Sequence, residues 1–114
     1  MEVKWAMNNE RKQMIVQALI KLVQAAPEVQ FPISPIYLQG IQNQDVSAPQ
    51  FNAWIDYVNS VLDVTYEYTG LNHVLEIKMS VLQLSTQNKL YIQRIYEIKD
   101  QILGLAQVIL QYYK

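Results

Sequence analysis

From Val74 to Tyr112 the seam positions recur at alternating intervals of three and four: Val74, Ile77, Val81, Leu84, Asn88, Tyr91, Ile95, Ile98, Ile102, Leu105, Ile109, Tyr112. This alternation places them on one face of a helix, and its unbroken phase predicts a single helix over about 72–113. At 1.5 Å per residue such a helix is about 60 Å long. A domain of this size has a radius of gyration of only about 13 Å, so the helix would leave apolar length that one copy does not cover. One stretch competes with this reading. Ser85-Thr86-Gln87-Asn88-Lys89 is polar throughout and admits a break near Thr86. Against a break stand the preserved phase and the lack of glycine or proline there.

The upstream pattern predicts two further helices. The first spans about 8–26, with Asn8 or Asn9 as cap and Glu10 suiting the dipole of the first turn. Met14, Ile15, Ala18, Leu19, Leu22, Val23 and Ala26 form its apolar face; Arg11, Lys12, Gln17, Lys21 and Gln24 form the polar one; Pro27 stops it. The next spans about 48–69. Ser47 and Gln50 have the spacing of a capping box, and Pro49 is tolerated in a first turn. Phe51, Trp54, Ile55, Val58, Leu62, Thr65 and Tyr66 line one face, and Tyr57, Val61, Val64 and Tyr68 the adjoining one. So narrow a polar stripe predicts a mostly buried helix. Gly70 fits a left-handed stop and Asn72 a cap for the following helix, giving a tight antiparallel reversal. Between these helices, prolines at 27, 32 and 35 break the chain. Ser34-Pro35 predicts a short helix over 35–39 that ends at Gly40, within an apolar segment lying across the others. The expected fold is therefore all-α: a helical bundle in one domain, residues 1–114, with a long C-terminal helix.

The long seam also bears on association. Taking Val74 as position a of a heptad, β-branched residues dominate a, with Asn88 the one polar exception. That composition favours a two-stranded coiled coil. The flanks do not, since a parallel pair would set Arg94 against Lys99. Leu75, Leu82, Tyr96, Leu103 and Leu110 at position b widen the apolar arc beyond a two-stranded seam, which suits a helix inside a bundle. The reading is a homodimer, antiparallel or crossed, with Asn88, Tyr91, Ile95, Ile98, Ile102, Leu105 and Ile109 as its interface. Asn88 either pairs with its copy across a two-fold axis or caps a helix after a break.

Composition narrows the chemistry. Apolar residues make up 51% of the chain and charged ones 17%, below the usual quarter or so for charge. That balance raises the chance that a partner covers some apolar surface. The absence of cysteine excludes disulfides, thiolate nucleophiles and zinc–cysteine sites. A net charge of −1 offers no global field for nucleic acid or anionic lipid. Its distribution is uneven: no Lys or Arg lies between Lys21 and Lys78, while Glu28, Asp45, Asp56, Asp63 and Glu67 do. The N-terminus lacks the pattern of a signal peptide and no run is long enough to span a bilayer, so a cytoplasmic location is expected.

Asp56, Asp63 and Glu67 share a helix face, and His73, the only histidine, follows closely. Asp63 and Glu67 have ligand-like spacing for a hard cation, yet three acids on the polar stripe of a helix are more simply its solvated side. No glycine-rich phosphate loop or nucleophile elbow is present. The expectation is a non-enzymatic interaction protein without a cofactor: an adaptor, inhibitor, immunity or assembly factor. It would bind a second, basic protein through a surface including Trp54, Tyr57, Asp56, Asp63 and Glu67. The alternatives are a small-ligand site lined by Trp54, Tyr57 and Tyr91 and a divalent-metal enzyme using Asp63, Glu67 and His73.

Overall fold

The computed structural model describes residues 9–28 and 46–112. Within them lie helices α1 (Asn9–Gln24), α2 (Ala48–Thr69), α3 (Asn72–Thr86) and α4 (Tyr91–Tyr112). The short helix expected over 35–39 and most of the crossing segment lie outside the described residues. The all-α bundle of the sequence reading is the architecture observed.

Local chemistry fixes most helix ends. Glu10 stands in the first turn of α1, and Ala25 N–H bonds to Lys21 O at 2.9 Å beyond its last residue, just ahead of Pro27. Ser47 caps α2 by accepting from Gln50 N–H at 3.4 Å. Its hydroxyl in turn donates to Gln50 Oε1 at 3.0 Å, so Gln50 steadies the cap hydroxyl. Gly70 ends α2 at φ 65°, ψ 13°, and its N–H bonds to Tyr66 O at 2.8 Å. No described non-glycine residue adopts a positive φ. A side chain at Gly70 would carry the left-handed penalty of about 1–2 kcal/mol. Asn72 does not cap α3, as its position had suggested. The N-cap is Leu71, without a side-chain cap bond. Thr69 instead accepts Leu71 N–H at 3.3 Å and so ties the turn.

The helix expected over 72–113 is two helices. It breaks at Gln87, where the backbone turns extended (φ −72°, ψ 152°), and resumes at Tyr91. Three features cause the break. Ser85 and Thr86 turn their hydroxyls back onto the carbonyls of Leu82 and Gln83, which weakens continuation. Arg94 donates from Nη1 to Ser85 O at 2.9 Å and to Leu84 O at 3.5 Å, satisfying carbonyls that a longer helix would have used. Burial supplies the driving force. Folded back, Val74, Ile77, Val81 and Leu84 face Ile95, Ile98, Ile102, Leu105 and Ile109 within one core, all buried. Each such side chain is worth about 1.5–3 kcal/mol on burial. Each helical hydrogen bond lost at the break costs only about 1 kcal/mol.

α1 packs on α2 and α4, and α3 on α2 and α4, with α1 and α3 on a diagonal; α2 and α4 also touch across the middle. α1 and α2 run antiparallel: Trp54, near the start of α2, donates from Nε1 to Leu22 O near the end of α1 at 2.9 Å. The core joins Leu19 and Leu22 of α1 with Phe51, Trp54, Val58 and Leu62 of α2 and the seam residues of α3 and α4. Buried Thr65 and Thr69 satisfy their hydroxyls on Val61 O and Thr65 O, both at 2.8 Å. Lys12, assigned to the polar face of α1, is buried.

Candidate interaction surface

The apolar arcs are narrower inside, and wider outside, than the sequence suggested. On α2, Tyr57, Val64, Tyr66 and Tyr68 are exposed, so the helix is not mostly buried. The b positions Leu75, Leu82, Tyr96, Leu103 and Leu110 also face outward. On α3 and α4 the packed neighbours cover chiefly the a and d positions, with Arg94 and Ala106 beside them, and leave the b positions outside.

The exposed residues of α2 matter most where they meet α1. On α1, Met14 and Ala18 are one turn apart on a side flanking the core. On α2, Val61, Val64 and Tyr68 recur at helical spacing on the side toward α1. Small Ala18 and Ser60 leave a depression between the helices. The result is an apolar groove of about 260 Å³ lined by Met14, Ile15, Ala18, Ser60, Val61, Val64, Thr65 and Tyr68. Ile15 and Thr65 are its buried floor, while Met14, 66% exposed, and Val64, 47% exposed, stand at its rim. Thr65 adds no unmet polar group, since its hydroxyl is bonded to Val61 O. At one end Arg11 lies over the Tyr68 ring, 5.3 Å from its centroid. Toward the other end the groove continues past Gln13, Gln17, Lys21 and Tyr57 and becomes more polar. α2 itself carries Asp56, Asp63 and Glu67 and no basic residue.

The residues singled out from sequence fall in different places. Tyr57 lines the groove. Trp54 is core, held by its bond to Leu22 O. Tyr91 packs on Phe51, with ring centroids 4.7 Å apart, beneath the Arg94 guanidinium. Trp54, Tyr57 and Tyr91 therefore do not share one pocket between α2 and the helices that follow. Asp63 pairs with Lys78 of α3, and His73 lies 3.5 Å from Glu76. Asp56 and Glu67 are exposed. Among the described residues no cluster of three or more metal-ligating side chains forms, and Asp63, Glu67 and His73 are not gathered.

Most of the seam residues expected at a dimer interface form core within the single chain. Ile95, Ile98, Ile102, Leu105 and Ile109 are buried against the same chain's helices, and Tyr91 is half-buried there. Asn88 is exposed in the elbow between α3 and α4. Folded in this way, the seam offers no open face. Arg94 is the residue that pattern reading missed. It is buried, stacks on Phe51 and Tyr91, and caps the end of α3. Its placement at a flank position beside a polar run was the available signal. Among the described residues, no helix is long and apolar enough to cross a membrane. Comparison with protein families, curated proteins and solved structures gave no match to this chain.

Proposed function

We propose that this chain is a non-enzymatic interaction protein that binds a helical segment of another protein in the groove between α1 and α2. The observation that supports it is the pairing of an apolar floor with exposed apolar rims at Met14, Val64 and Tyr68. An amphipathic helix laid along two antiparallel helices inserts residues at i, i+3, i+4 and i+7 into such a trough. Asp63 already pairs with Lys78, so it is exposed Asp56 and Glu67, flanking the groove on α2, that favour a partner with basic residues beside its apolar stripe. The groove favours a peptide over a small ligand. It is open along one side and runs on past Gln13, Gln17, Lys21 and Tyr57, whereas a small-molecule pocket encloses most of its ligand.

A displayed library of amphipathic helical peptides tests this reading. Peptides with a basic flank should be enriched, and the selected peptides should lose binding to Val64→Asp and Met14→Asp variants that remain folded by circular dichroism. Lack of enrichment, or binding indifferent to both substitutions, would remove the proposal.

A further inference from the structure

The two inter-helix turns of the hairpins are built differently. The turn after α2 depends on left-handed Gly70. The elbow after α3 contains no glycine, no proline and no positive φ. Gln87 has φ −72°, already in the helical range, and only its ψ of 152° departs from a helix. Across the elbow the spacing Leu84, Asn88, Tyr91, Ile95 continues the seam without a change of phase. A turn between helices imposes no such continuity.

We propose that this chain dimerises by exchanging α4. The elbow straightens, α3 and α4 become one helix, and α4 fills the place in a second copy that the second copy's own α4 has left. The occupant is a second copy because α4 is buried against α1, α2 and α3, and only another copy presents those surfaces. Exchange rebuilds every core contact, so the two forms differ chiefly at the elbow. There the accounting is local. In the straight helix, Leu84 O and Ser85 O accept from the N–H groups of Asn88 and Lys89. In the closed form their donors are Gln87 N–H and the Arg94 guanidinium. Arg94 is thus a latch that substitutes for the next turn of helix. Asn88, exposed when the elbow is closed, comes near the two-fold axis of the exchanged pair, where its amide can both donate to and accept from its copy. This inference does not depend on the groove between α1 and α2.

The test is sedimentation equilibrium of the full chain after refolding at high protein concentration. The wild type should contain dimer. Arg94→Met keeps the apolar stem and removes the latch, and should raise the dimer-to-monomer ratio about tenfold. Asn88→Pro should lower it about tenfold, because Gln87 already has the extended backbone that precedes proline and the straight helix loses a donor. A cross-link then shows how the dimer is built. His73 and Gly104 line one depression between α3 and α4, a Cβ at Gly104 meets open space, and the chain has no cysteine of its own. In a His73→Cys, Gly104→Cys variant treated with a short bismaleimide, isolated dimer should be linked between chains and monomer within one chain. Wild type and Arg94→Met both remaining monomeric would overturn the proposal, as would a dimer linked only within its chains.

Discussion

Arg94 brings the costs of burying charge to one position. Its guanidinium is buried, its Nη1 is bonded to Ser85 O, and among the described residues its Nε lacks a hydrogen-bond partner. Stacking on Phe51 and Tyr91, at 5.0 and 4.4 Å from their centroids, offsets part of the lost hydration. We expect Arg94→Ala to destabilise the monomer by about 1–3 kcal/mol in urea denaturation. Lys89 beside Glu97, by contrast, is a contact between exposed groups 3.5 Å apart. Glu97→Gln should change stability by less than about 1 kcal/mol, and that small effect should vanish in high salt. At Gly70 the left-handed backbone sets the cost: Gly70→Ala should lower stability by about 1–2 kcal/mol in the same assay.

Among elements, α2 was the most legible and α4 the least. Ser47 and Gly70 mark the ends of α2 by chemistry local to a few residues, and both perform the roles their positions suggest. The break between α3 and α4 was marked as an alternative by the polar run 85–89, and α3 does end at Thr86, but the periodicity argued for continuity. A heptad phase reports which residues share a face; it does not report whether the face is covered by another chain or by the same chain turning back. The deciding contact, from Arg94 to Ser85 O, joins residues on opposite sides of the break and leaves no trace in periodicity. Apart from exposed Asn88 and half-buried Tyr91, the seam positions from Val74 to Ile109 are buried, and that burial yields a direct expectation. Ile102→Asp places a carboxylate at a fully buried position. It should unfold the protein, seen as loss of the cooperative thermal transition, rather than release a stable monomer.

For the whole molecule, the candidate site was visible only in fragments. Tyr57 was identified, as was the acidic bias of α2, but Met14 and Val64 were assigned to buried or adjoining faces and emerge as the rim of the groove. Which side of a helix stays open depends on how many neighbours it has. α1 packs against α2 and α4 but not α3, and that arrangement is a property of the packed bundle. Truncating the exposed rim should separate binding from folding: Val64→Ala should alter stability by less than about 1 kcal/mol while weakening any peptide selected on the groove, as measured by calorimetric titration.

Trp54 offers a practical consequence of its anchoring to Leu22 O. Only Trp5 shares its chromophore in this sequence, so Trp5→Phe leaves a single indole, sealed between the first and second helices. Its emission should be blue while α1 is seated and shift to the red, with altered lifetime, when that helix lifts away. The molecule therefore contains its own optical gauge of one interface, readable without any attached dye.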